Sequence, residues 1–143
     1  MLLKLALTLL CCLPLSRETE LMVEAGKDAK VRTVATGTLH PDFIEASEEH
    51  VAMQARNHRQ GHPGWRSRYT RLQAKHPNLR IAEIASESWP NQTLAEAAKD
   101  AFTVSWPASP GHWAIANKKC VYYGTSMKRS RNGITYTSMV VGY

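Results

Sequence analysis

The C-terminal segment of the chain carries the pattern that most restricts its fold. Residues 121–124 and 134–141 are rich in β-branched and aromatic side chains, and Asn132 and Gly133 lie between them. An Asn-Gly pair readily adopts the backbone conformation of a tight hairpin turn, so the pattern predicts two antiparallel strands. The preceding segments have helical patterns instead. Helices followed by paired strands favour an α+β domain over a parallel, doubly wound one.

Three amphipathic patterns precede the hairpin. Residues 41–59 repeat apolar side chains at helical spacing, and Asp42 can cap the helix that they predict. Residues 66–75 predict a second, shorter and strongly basic helix. Residues 93–106 predict a third helix, capped by Thr93 and ended by a proline.

The first sixteen residues have the layout of a secretory signal peptide. Lys4 precedes an apolar stretch at 5–13, and a proline and polar residues follow. A lipid anchor on Cys11 or Cys12 is the second interpretation, although neither cysteine follows a small residue. We therefore expect an exported protein that is secreted or held in the cell envelope.

The chain length suits one domain. A protein of 143 residues with 43% hydrophobic residues can build one sizeable core but not two. We assign residues 17–41 to an N-terminal extension, with short strands at 21–23 and 31–34, and residues 42–143 to the domain itself. We expect a monomer.

The cysteine count excludes an internal disulfide in the exported chain. Of the three cysteines, only Cys120 lies beyond the predicted signal. The domain must therefore be held together by its core. No candidate base accompanies Cys120 in the sequence, so we interpret it as a small buried hydrophobe rather than a nucleophile.

Two histidines and one glutamate are the candidates for a functional site. His62 and His112 each lie in a Gly/Pro-rich turn and are followed closely by a tryptophan, and imidazole is a common zinc ligand. An ordinary turn histidine is the alternative for each. Glu83 lies within the apolar segment 81–85, so its side chain either turns outward or is buried with a partner, for which a histidine would be suitable.

Charge and motifs exclude several classes of function. The sequence has no phosphate-binding glycine loop, nucleophile elbow or paired cysteine ligands, and no apolar run reaches the roughly 18 residues of a membrane-spanning helix. The net charge of +6 is partly concentrated in a basic stretch. That stretch contains Arg56, Arg59, Arg66, Arg68 and Arg71. It could bind an anionic polymer, but we interpret it as a solvated helix face and expect no nucleic-acid partner.

Taken in order, these segments resemble the CAP superfamily of cysteine-rich secretory, antigen 5 and pathogenesis-related proteins, and especially its compact bacterial branch. The resemblance covers roughly residues 42–143. It rests on His50-x-x-Met53, His62-Pro63-Gly64-Trp65-Arg66-Ser67-Arg68, Ala82-Glu83-Ile84-Ala85, Trp106-Pro107-Ala108-Ser109-Pro110-Gly111-His112 and Tyr123-Gly124. Only the Ser-Pro-Gly-His segment is specific by itself.

The resemblance implies an α-β-α sandwich with a central antiparallel sheet and a cleft of two histidines and two glutamates. Carried over by motif, the cleft residues are His62, Glu83 and His112, which could hold a divalent cation such as zinc. Ile84 replaces the family's asparagine. No residue clearly matches the second glutamate, for which Glu87 and Glu96 are only guesses.

The resemblance favours a binding domain over an enzyme. Its partner would be an extracellular lipid, glycan or protein, bound in the cleft with or without a divalent cation. A hydrolase is the alternative, in which a metal-bound water or Glu83 acting with His112 cleaves an ester or peptide bond. A further alternative is a basic module that binds an anionic polymer.

Overall fold

A computed structural model describes residues 14–143. The apolar stretch of the predicted signal, with Cys11 and Cys12, lies outside the described residues, so the signal and the lipid anchor stay predictions. The helices are α1 (Arg17–Asp28), α2 (Arg32–Thr36), α3 (Pro41–Asn57), α4 (Trp65–Lys75), α5 (Leu94–Asp100) and α6 (Pro110–Ala116). The strands are β1 (Thr38–Leu39), β2 (Ile81–Glu87), β3 (Tyr122–Arg129) and β4 (Thr135–Gly142).

The predicted C-terminal hairpin is confirmed. β3 and β4 pair antiparallel along their whole length, and Gly133 turns the chain between them at a φ of +80°. β2 adds to the other side of β4, also antiparallel. The sheet is nevertheless mixed, because the two-residue β1 pairs parallel with β3 and gives the order β1-β3-β4-β2. The expected central antiparallel sheet is thus correct for three strands and wrong for the short edge strand.

Every residue of β4 is buried, because helices cover both faces of the sheet. On one face Val140 packs with Phe43 of α3 and Leu72 of α4. Its neighbours Met139 and Val141 point to the other face and belong to a larger cluster. That cluster includes Met22, Phe102, Trp106 and Ile84. The molecule is therefore an α+β fold of three layers, as predicted.

The N-terminal segment is mostly helical and does not form the predicted strands. The short strands predicted at 21–23 and 31–34 are wrong, since these residues lie in α1 and at the start of α2. Buried Thr19, Met22 and Val23 follow helical spacing, and α1 starts at an N-cap where Ser16 accepts from the Thr19 amide. Met22 is 0% exposed, so the predicted extension contributes to the same core as residues 42–143.

The predicted helices at 41–59 and 66–75 are confirmed as α3 and α4. The predicted cap of α3 is wrong: His40, not Asp42, caps the helix, because His40 Nδ1 accepts from the Asp42 amide at 3.1 Å. Thr93 does cap α5, as predicted. The predicted third helix continues beyond α5 as a π-helical turn, Ala101–Ser105.

Cys120 is buried, as expected of a small hydrophobe. Its residue is 6% exposed, and its Sγ lies 3.3 Å from the carbonyl oxygen of Thr33. Burial raises the pKa of the thiol to about 11, so it stays protonated at neutral pH. None of the helices in residues 14–143 has the length and apolar character to cross a membrane.

Candidate functional site

The structure buries Glu83 against the layer formed by α3 and α4. Glu83 lies on β2 opposite Val140 of β4, and its side chain is 1% exposed. The fully buried guanidinium of Arg68 donates to both carboxylate oxygens at 2.8 Å. Burial would raise the pKa of Glu83, but hydrogen bonds from His62 and Arg68 hold that pKa below its usual value. Glu83 is therefore an ionised carboxylate in a buried, bidentate ion pair.

His50 lies behind this pair on the buried face of α3. Its Nε2 donates to the Gly61 carbonyl at 2.7 Å and lies 3.2 Å from Glu83 Oε1. Its Nδ1 then accepts from the Ser138 hydroxyl at 2.7 Å. Burial lowers the pKa of His50 to about 4, so the ring is neutral at physiological pH. Both nitrogens are used in holding the loop before α4 and the sheet together.

His62 is the exposed member of the group. Its side chain is 44% exposed, and its Nδ1 lies 3.0 Å from Glu83 Oε1. The ring stacks on His50, with centroids 5.5 Å apart. Since Nδ1–H donates to the carboxylate, Nε2 is left without a hydrogen-bond partner among the described residues. We call His50, His62, Arg68 and Glu83 the Glu83 cluster.

His112, the other histidine predicted for the site, lies outside the hydrogen-bond network of this cluster. Burial lowers the pKa of His112, and the charge of His62 lowers it further. The predicted turn at His112 is wrong, because Pro110 starts α6 and His112 lies in its first turn. The structure thus joins His62 directly to Glu83 and leaves His112 out of their group of ligand atoms. Glu87 and Glu96 are exposed and do not belong to the group.

Sequence reasoning does not assign Arg68 or His50 to the site. It predicts Arg68 on a solvated basic face, yet Arg68 is 0% exposed. One signal is available: Arg68 lies four residues before the buried Leu72, on the same side of α4. His50 likewise falls in the buried stripe of α3, between Ser47 and Gln54. A charged or polar residue within such a stripe must have a buried partner.

A divalent cation fits the Glu83 cluster poorly. His50, His62 and Glu83 each offer a ligand atom within 4.8 Å of the others, a spacing that an ion could bridge. Both nitrogens of His50 are already used, however, and Arg68 Nη2 lies 2.8 Å from the oxygen that faces the imidazoles. An added cation would therefore meet a buried positive charge that already neutralises the carboxylate. The arrangement is better suited to fixing the ring and tautomer of His62.

The surface beside His62 is a shallow polar cleft. It has a volume of about 300 Å³. Its lining residues are Asn57, Arg59, Gln60, Gly61, His62 and Pro63. Gln60 is held by a hydrogen bond from its Nε2 to the Ala85 carbonyl, whereas Asn57 and Arg59 are exposed. The cleft therefore combines one cation, two amides and one imidazole, and that imidazole is hydrogen-bonded to the buried Glu83.

The predicted basic face is interrupted. Arg68 points into the core, and Arg71 forms an ion pair with Glu49 at 2.5 Å. Trp65 and Tyr69 contact each other, with ring centroids 5.6 Å apart. The stretch therefore lacks the continuous row of unpaired cations that an extended anionic polymer would require.

No protein-family model matches the chain, and no curated protein matches it. Among solved structures, its fold is similar to that of an outer surface protein from Borrelia burgdorferi. The TM-score is 0.58 and the sequence identity 11%, and the similarity covers 87% of each chain. At this identity the likeness shows the fold alone, and it is consistent with the α+β architecture.

Proposed function

We propose that this chain is a secreted or cell-envelope recognition domain of the CAP type, which binds its ligand through the cleft beside His62. The observation that carries the proposal is the position of His62. Its half-exposed ring is held at Nδ1 by a buried carboxylate, while Nε2 stays available to a ligand. Such preorganisation favours binding, because the ring need not be ordered when a ligand arrives.

The location proposed for the protein has two independent supports. The first is the signal-like segment at residues 1–16. The second is the fold shared with a protein whose name describes it as an outer surface protein. The proposed CAP type is supported by the order of the sequence motifs. It is also supported by the hydrogen bond between His62 and Glu83, which belong to two of those motifs.

The chemistry of the cleft favours an acidic glycan over a lipid. Arg59 can bind a carboxylate, and the amides of Asn57 and Gln60 can bind sugar hydroxyls. Lipid pockets need an enclosed apolar lining, whereas Pro63 is the apolar side chain of this cleft. We therefore propose that the ligand carries carboxylate and hydroxyl groups.

Binding to short galacturonic acid oligomers tests this proposal, with neutral galactose oligomers of equal length for comparison. We expect the acidic oligomers to bind and the neutral ones to bind at least about tenfold more weakly, as the loss of one charged hydrogen bond predicts. His62→Ala and Arg59→Ala should each weaken binding by a similar factor. Arg80→Ala removes an exposed arginine outside the cleft and should leave binding unchanged. Equal binding by all four proteins would contradict the assignment.

A hydrolase is the second candidate, and one observation favours it. Glu83 holds His62 as the carboxylate holds the base in a hydrolytic dyad, with Nε2 free to take a proton from water. A panel of ester and peptide substrates tests this candidate. Turnover by the wild type that falls at least about a hundredfold in His62→Ala would support general-base catalysis. Equal rates for the two proteins would exclude His62 as the base.

A further inference from the structure

A second group of imidazoles and a carboxylate lies at the N-terminal end of α3, away from the Glu83 cluster. His40 caps that helix, Asp42 lies in its first turn, and His76 ends α4. Because His40 and His50 are ten residues apart, the two groups are separated by about 15 Å along the helix axis. We call His40, Asp42 and His76 the Asp42 cluster.

We infer that the Asp42 cluster binds a zinc-type divalent cation through His40, Asp42 and His76. The inference is independent of the function proposed for the cleft. Two imidazoles and one carboxylate are the ligand set of many open zinc sites, in which water fills the fourth position. Magnesium and calcium prefer oxygen ligands, so the set selects against them.

The ligand atoms are already close to the spacing that zinc requires. Asp42 Oδ2 lies 2.9 Å from His76 Nε2 and 3.8 Å from His40 Nδ1. All three ligand atoms lie within 4.8 Å of one another. Two donors on a tetrahedral zinc ion are about 3.3 Å apart, given bonds of about 2.0 Å. The observed distances bracket this value, so small side-chain movements complete the site.

Packing of aromatic rings holds the two imidazoles in place. The rings of His40 and His76 meet edge to face, with centroids 4.9 Å apart. The Tyr122 ring packs on the His40 ring, with centroids 4.6 Å apart, and the Phe43 ring packs on the His76 ring, with centroids 5.2 Å apart. Side chains locked in this way lose little freedom when a metal binds, which favours affinity.

The hydrogen bonds of the Asp42 cluster involve the same two ring nitrogens that a cation would take. His76 Nε2–H donates to Asp42 Oδ2, and His40 Nδ1 accepts from the Asp42 amide. On binding, zinc would take the place of the proton on His76 Nε2, which moves to Nδ1 of that ring. Zinc would likewise replace the amide as the partner of His40 Nδ1.

Within residues 14–143, the cation paired with this cluster is the exposed Lys75. Its Nζ lies 3.4 Å from Asp42 Oδ1, the oxygen not turned to the histidines. Its side chain is 52% exposed, so it can swing into solvent. The side chains of His40, Asp42 and His76 are 26%, 25% and 13% exposed, which leaves an entry path for the ion.

Calorimetric titration of the full chain with zinc chloride tests the inference, with magnesium chloride as the ion that should not bind. We expect one equivalent of zinc to bind the wild type. His76→Gln keeps an N–H donor for Asp42 but removes the imidazole, and should weaken binding at least about tenfold. The matched control is His62→Gln, the same substitution in the Glu83 cluster, which should leave zinc binding unchanged. Absence of zinc binding to the wild type would overturn the inference.

A second measurement identifies the ligand atoms in the wild type and does not depend on the stability of any variant. Zinc should shift the ¹⁵N resonances of His76 Nε2 and His40 Nδ1 in spectra of the histidine side chains. Shifts confined to His50, His62 or His112 would place the metal at the Glu83 cluster and overturn the inference. Because the glycan assay tests Arg59 and His62, the failure of one proposal leaves the other standing.

Discussion

Residues 14–143 contain two groups in which histidines surround a carboxylate, and the two groups differ in the cation that accompanies the carboxylate. In the Glu83 cluster the cation is Arg68, which is 0% exposed and binds both carboxylate oxygens. In the Asp42 cluster it is Lys75, which is 52% exposed and contacts one oxygen. A buried arginine cannot leave its carboxylate without a large desolvation cost, whereas an exposed lysine can. The same residue types therefore form a structural support in one place and an available ligand set in the other.

Removing Arg68 tests the structural half of this comparison and should have the largest effect. Arg68→Ala leaves Glu83 as an unpaired buried charge, so we expect the free energy of unfolding to fall by about 3–5 kcal/mol. Urea unfolding followed by circular dichroism measures the change. Arg71→Ala breaks the half-exposed pair with Glu49 and should cost no more than about 1 kcal/mol. Similar losses in the two variants would mean that Arg68 is not the buried support described above.

The pH dependence of stability tests the neutral state of His50. The folded-state pKa of His50 is about 4, against 6.5 for the ordinary side chain. Between these values the unfolded chain binds a proton that the folded chain rejects, so stability falls as the pH drops from about 6.5 to about 4. Above pH 6.5 His50 is neutral in both the folded and the unfolded chain, so it no longer contributes to the pH dependence of stability. The buried ring faces Glu83, Arg68 and His62, whose charges partly offset each other.

The expected size of this effect follows from the shift in pKa. A difference of about 2.5 units corresponds to a loss of about 3 kcal/mol between pH 7 and pH 4. Urea unfolding at several pH values measures it in the wild type and in His50→Gln. Because other groups titrate in the same range, the difference between the two proteins isolates His50. Parallel curves for the two proteins would refute the assignment of a neutral, buried His50.

The sequence predicts most of the elements whose patterns are local. The hairpin around Gly133 and the helices α3 and α4 follow from turn chemistry and apolar spacing within a few residues. The prediction fails at α1, where adjacent apolar residues favour a strand. It fails again at α6, where Pro110 and Gly111 suggest a turn, although proline is well suited to the first position of a helix.

The site is predictable only in part, because its partners are distant in sequence. The apolar neighbours of Glu83 predict that a buried carboxylate needs a partner, and His62 is indeed bonded to it. Nothing local shows that Arg68, 15 residues earlier, neutralises it. In the same way Asp42 and His76 are 34 residues apart, and they meet only because α3 and α4 pack side by side. Asp42 lies in the first turn of α3 and His76 ends α4, and neither position in the sequence indicates that the two residues share a cluster.

Replacing Lys75 tests the other half of the comparison, and its expected effect is the smallest. If Lys75 opposes a cation at the Asp42 cluster, Lys75→Gln should tighten zinc binding by about fivefold, the effect of removing roughly 1 kcal/mol of repulsion in a solvated setting. Calorimetry at low salt measures this gain, and added salt should shrink the difference between the two proteins because it screens exposed charges. Lys99→Gln removes an exposed lysine outside the cluster and serves as the control. Unchanged or weaker zinc binding in Lys75→Gln would mean that the exposed charge of Lys75 does not limit the affinity of the Asp42 cluster for zinc. The two clusters would then differ only in how deeply their carboxylates and cations are buried.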